Sequence, residues 1–165
     1  MSRWVSGALL LIILVTSNAA LAGGQSYMSL VGELVGSVQS PRIFRDYCAV
    51  HSPSTAARYA KLYDDWSERH RTLLEAIDEQ AVRAAVRMKR QGAPGGDKPV
   101  EWIIEAVKNS ILANFDGLSP AQAEQVCSGY PKLLKTKDED AEAEIPKLLS
   151  IVSDADKSLT AREQT

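Results

Sequence analysis

Along most of the chain, apolar residues recur every three or four positions, and nowhere do they alternate with polar ones over a strand's length. That period belongs to α-helices, so the pattern predicts an all-α fold. The longest uninterrupted stretch runs from Pro53 to Gln91, 39 residues with no glycine and no proline after its first position. Within it Tyr59, Tyr63, Trp66, His70, Leu73 and Ile77 alternate in steps of four and three, a heptad-like seam. Past Ile77 the strict seam would bring Gln80 and Arg87 inside. A straight helix of period 3.6 instead lets the stripe drift to Ala81, Ala84, Ala85 and Met88. The expectation is one long amphipathic helix over about 53–91, with the rest of the chain folded against it. Its first half, Tyr59 to Ile77, should be deeply packed, and Ala81 to Arg90 more exposed.

The remaining elements are shorter. Tyr27, Leu30, Val31, Leu34, Val35 and Val38 mark a first helix over Tyr27–Ser37. Gly32 and Gly36 weaken it, and their shared side invites close approach of another helix. Ser40-Pro41 reads as a separate helix start that leads through Ile43, Phe44 and Tyr47 to Cys48. After the loop QGAPGGDK, Pro99 opens a helix through Trp102, Ile103, Val107 and Ile111, with Gly117 suited to its C-terminal stop. Ser119-Pro120-Ala121-Gln122 has capping-box spacing. Lys137 to Glu144 reads as a charged, poorly packed turn or helix start, and Pro146 as the start of a last helix through Val152. The sum is a single-domain helical bundle of about five or six helices over 23–152, followed by a polar, frayed tail over 153–165.

Length adds a constraint. A 39-residue helix is about 58 Å long, whereas a globule of this size is about 40 Å across. The long helix must overrun the globule, bend or break. If Cys127 is to reach Cys48, the helix opened by Pro120 must cross toward the Cys48 end.

The N-terminus changes the picture of where this happens. Arg3, the apolar run Ala8–Val15 and Ala20-Leu21-Ala22 form the three regions of a cleavable signal peptide over 1–22. The run is too short to span a bilayer, and Gly23 stands where a lipidated cysteine would be. An exported protein is expected, periplasmic or extracellular, with no membrane anchor after cleavage. In an oxidising compartment Cys48 and Cys127 are expected to form a disulfide. Closing so long a loop contributes about 4 kcal/mol by chain entropy.

The candidate chemistry is sparse. The net charge of −2 gives no reason to expect a nucleic-acid partner. Cys48 and His51 alone do not make a zinc site, and no metal, cofactor or catalytic residue is assigned. His70, held among aromatics, has the setting of a general base, but no nucleophile motif accompanies it. Tyr59, Tyr63 and Trp66 form an aromatic stripe able to line a groove for a small apolar ligand or lipid. Arg83, Arg87, Lys89 and Arg90 make the end of the long helix basic. The leading expectation is a non-enzymatic protein that binds another envelope protein. The candidate surface comprises Tyr59, Tyr63, Trp66, His70, Arg83, Arg87 and Arg90. The alternative is a ligand or lipid binder that uses the aromatic groove.

Overall fold

The computed structural model describes residues 26–92 and 98–163; the expected signal peptide lies outside the described residues. Those residues are helical nearly throughout, in the order α1 (Tyr27–His51), a 3₁₀ turn (Pro53–Thr55), α2 (Ala56–Arg69), α3 (Arg71–Arg90), α4 (Pro99–Leu112), a second 3₁₀ turn (Ala113–Phe115), α5 (Pro120–Ser128) and α6 (Tyr130–Glu163). The described residues form an all-helical bundle of six helices joined by one disulfide, Cys48–Cys127, with the Cα atoms 5.4 Å apart.

The helix at the centre is not the one with the clearest seam. α1 touches α2, α3, α4, α5 and α6. Between Tyr27 and Cys48 only Ser29, Glu33, Arg42 and Asp46 are exposed. A helix whose other positions, Gln39 and Arg45 apart, are apolar, aromatic or small belongs in the interior. The expected break at Ser40-Pro41 does not occur, because Pro41 lies inside α1 and is buried. Proline removes the amide that would bond the carbonyl of Ser37. The Ser40 hydroxyl donates to that carbonyl instead, at 3.2 Å, so the helix continues.

The 53–91 stretch is interrupted, one of the three outcomes its length allowed. The 3₁₀ turn Pro53–Thr55 opens it, and the helix is interrupted at His70, whose φ of −106° and ψ of 15° leave the α region. Its seam nevertheless persists. Tyr59, Tyr63, Trp66, His70, Leu73, Ile77, Gln80, Ala84 and Arg87 are all buried or half-buried. The drift away from Gln80 and Arg87 is therefore corrected: both are inside, along with Ala81, Ala85 and Met88. The second half of the stretch is not the more exposed one, since α1 and α4 cover one side of it and α6 the other.

Chain direction follows from the contacts. Tyr27 lies against Arg87, while Phe115 packs on Phe44 and Tyr47 with ring centroids 4.9 and 4.8 Å apart. So α1 and α4 run one way, and α2–α3 run the other. α6 runs parallel to α3, with Asp138 at His70 and Asp156 at Arg87. By Phe115 the chain has already returned to the Cys48 end, and α5 carries Cys127 onto Cys48. The Ser119 side chain and Gln122 complete the expected capping box of α5.

α6 also differs from expectation. It is one helix of 34 residues with Pro146 inside it. Pro146 and Glu142 are both exposed, so the carbonyl that loses its donor faces water. Ala141 and Ile145 are buried, which makes 137–144 a packed helix and not a turn or helix start. Beyond Asp154, where fraying was expected, the helix continues to Glu163.

The core has two compartments. An aliphatic one gathers Val31, Leu34, Val35, Ile77, Ala84, Met88, Ile103, Ile145 and Val152. An aromatic one surrounds the disulfide with Tyr59, Trp66, Tyr130 and Leu134. The α1 glycines do not serve close approach: a methyl group at Gly32 would meet nothing within 4 Å, and one at Gly36 would make an ordinary 3.7 Å contact with Val107. Gly32→Ala should therefore stabilise the protein by about 0.5–1 kcal/mol through helix propensity. Thermal unfolding checks this. A lowered midpoint would mean that the helix surface around Gly32 is more tightly packed than described.

Candidate functional site

The sequence-predicted site residues separate into three places. Tyr59 and Trp66 are core residues, 3% and 0% exposed. Tyr130 packs on Tyr59 at 4.9 Å between ring centroids, and the disulfide and Leu134 close the same cluster. Tyr63 is half-buried, with the Arg45 guanidinium 4.5 Å above its ring. The stripe is thus filled from α1 and α6 and presents no aromatic groove as a whole.

His70 forms the second place. Its ring lies 5.3 Å from Trp66, at the junction of α2 and α3. Nε2 lies 2.7 Å from Asp138 Oδ1 on α6, and the Arg69 guanidinium donates to both oxygens of the same carboxylate at 2.9 and 3.0 Å. Burial would raise the Asp138 pKa, but the bonds from His70 and Arg69 outweigh it and hold the carboxyl below its ordinary value. A concavity of about 430 Å³ opens beside the pair, lined by Arg69, His70, Thr72, Leu73, Ala76, Ala141 and Pro146. A histidine oriented by a carboxylate is two-thirds of a nucleophile-activating arrangement. Among the described residues no hydroxyl or thiol is bonded to the other ring nitrogen. What the geometry does accomplish is to pin the α2–α3 interruption to α6.

The third place is the end of α3. Here the predicted basic set divides by direction. Arg83 and Arg90 are exposed, Arg83 paired loosely with Glu79 at 3.3 Å. Arg87 points inward, 10% exposed, and donates to Asp156 Oδ1 at 3.0 Å, to Thr160 Oγ1 at 3.1 Å and to the Glu163 carboxylate. Its burial opposes the charge, yet the Asp156 and Glu163 carboxylates more than reverse that effect, so its pKa is raised. Tyr27 lies over the guanidinium at 5.6 Å. Its hydroxyl makes no hydrogen bond of good geometry, and burial together with the nearby Asp156 charge pushes its pKa up to about 12. On the outer side Val82 and Val86 are 50% and 46% exposed. They line a concavity of about 230 Å³ with Arg83, Arg90 and the last turns of α6.

Asp138, Asp156 and Glu163 were not among the expected site residues, having been placed in a poorly packed turn or helix start and in a frayed tail. A signal was present. All three fall on the stripe that also carries Leu134, Ala141, Ile145 and Val152, so an acid occupies an inward position at each end. Among the described residues no group of His, Cys, Asp and Glu is placed to hold a metal ion. No helix among them is long and apolar enough to cross a membrane. No protein-family model matches the chain, and neither a curated protein nor a solved structure gives a significant match.

Asp138→Asn should destabilise the fold by about 1 kcal/mol, discounted for the partial exposure of the pair. Because the folded-state pKa is lowered, the wild-type advantage is present above the ordinary carboxyl value of 3.8. It is lost as the pH falls below that value. Urea unfolding of both proteins between pH 7 and pH 3 measures it. A difference that grows on acidification would contradict the assignment.

Proposed function

We propose that this chain is an exported, non-enzymatic protein that binds another protein of the cell envelope or exterior through the outer face of the last turns of α3. The observation that carries the binding reading is the row Val82, Arg83, Val86 and Arg90. Two apolar side chains half-exposed on one helix face, flanked by arginines and set in a concavity, have the composition of a small docking surface. Export is supported by the signal-like leader and by a fully buried disulfide, Cys48 and Cys127 both being 0% exposed. The His70–Asp138 pair fits a structural pin better than a reaction centre, because among the described residues no nucleophile partners it. The alternative of a groove for a small apolar ligand retains only the half-buried Tyr63, since Tyr59 and Trp66 are enclosed.

The test is affinity capture from envelope extract with the wild-type chain and with a Val82→Asp/Val86→Asp variant, both checked for native helicity. The expected result is a partner retained by the wild type and weakened at least about tenfold in the variant. Equal recovery by both, or no specific partner under several growth conditions, would overturn the reading.

A further inference from the structure

Arg87 is out of place on the α3 seam. It sits seven residues after Gln80, at a position that Tyr59, Trp66 and Leu73 occupy earlier along the same repeat. A guanidinium removed from water is unfavourable unless carboxylates meet it. The ones that do, Asp156 and Glu163, come from the last turns of α6, as does the Thr160 hydroxyl.

Apolar burial holds that segment only weakly. Val152 is the last fully buried residue of α6, and from 153 to 163 the apolar side chains Ala155 and Leu159 are half-buried. Segments with few buried apolar contacts open at low free energy. Buried ion pairs are also a poor way to fasten one helix to another, since apolar side chains of similar volume serve as well or better. A charged clamp on a weakly packed segment makes physical sense where the segment is meant to come away.

The clamp also specifies what takes its place. Asp156, Thr160 and Glu163 stand at i, i+4 and i+7, one face of a helix. Arg83 and Arg90 flank Arg87 one turn to either side, and Val82 and Val86 supply exposed apolar surface along the same groove. We infer that residues 154–163 are a detachable strap, an internal occupant of an arginine cradle whose external ligand is a partner's helix bearing carboxylates at i and i+7. The inference rests on the protein-binding reading of this face and names the partner's chemistry. Release of the strap exposes the Arg87 guanidinium to that helix, and the strap competes with it at high effective concentration.

The experiment uses the full chain with Asp156→Asn and Glu163→Gln, which keep side-chain shape and remove both carboxylates. Hydrogen exchange read by mass spectrometry should show the amides of 154–163 exchanging at least about tenfold faster than in the wild type, with 130–152 unchanged. A labelled synthetic peptide with the sequence of residues 154–163 should then bind the double variant at least about tenfold more tightly than it binds the wild type. The same peptide carrying Asp156→Asn and Glu163→Gln should not. Unchanged exchange, or acceleration spread through the whole of α6, would show that the segment is no strap. Faster exchange without any gain in peptide binding would eliminate the acidic-helix ligand. Glu163→Gln alone, at a position 47% exposed, must move exchange in the same direction, so loss of folding in the double variant leaves the test intact. Capture through Val82 and Val86 is measured separately, so failure of the strap and failure of the binding reading are told apart.

Discussion

The structure depends on the burial of α1. A helix of 25 residues whose only exposed positions between Tyr27 and Cys48 are Ser29, Glu33, Arg42 and Asp46 must be surrounded. The other helices are arranged to do so: α2–α3 and α6 run against it, and α4 runs alongside it. α1 brings Val31, Leu34, Val35 and Val38 to the aliphatic core, where they meet Ile77, Ala84 and Met88 of α3, Ile103 of α4 and Ile145 and Val152 of α6. Its far end is fixed covalently, since Cys48 lies one turn before the helix stops and is bonded to α5. Cys127 in turn sits just before α6 begins, so one bond ties the central helix to the junction from which α6 departs.

If α1 supplies the cohesion, the polar contacts between α3 and α6 supply the register. The interface carries three such rungs: His70 with Asp138, Gln80 with Ser153 at 3.1 Å, and Arg87 with Asp156. Between them lie Ile77, Ala84, Ala141, Ile145 and Val152, which would pack acceptably in more than one alignment. Buried polar pairs do not tolerate a slip, because each would leave a desolvated group unpaired. The rungs are therefore better understood as setting alignment than as adding stability. The outermost one, where apolar support weakens, is the one built to open.

Features set by short-range chemistry were legible in the sequence. The helical class, the Ser119 capping box, the proline start of α4, the stop near Gly117 and the Cys48–Cys127 pairing each rest on a few neighbouring residues or on compartment. The errors arose where tertiary context overrode a local signal. Ser40-Pro41 has the form of a helix start, but Pro41 is enclosed in the core and the Ser40 hydroxyl serves the orphaned carbonyl. Pro146 has the same form, but its missing bond faces water. α1 was underrated because a helix buried on nearly all sides has little amphipathic contrast, which is the property that made 53–91 conspicuous. For the candidate site, Arg83 and Arg90 could be placed on one helix end from spacing alone, whereas Val82 and Val86 were not among the expected residues. The strict seam offered Arg87 an inward position, but its partners lie more than sixty residues away on a segment whose polar composition argues for fraying.

The buried disulfide closes the fold around α1 and is also the feature that bears on the proposed export. Peptide mapping by mass spectrometry of the protein recovered from outside the cytoplasm, alkylated before any reduction, tests it most directly. The account predicts a single linked peptide pair containing Cys48 and Cys127, with no alkylation at either cysteine until the protein is unfolded and reduced. Two alkylated thiols in the native exported protein, or a linkage between two chains, would contradict it.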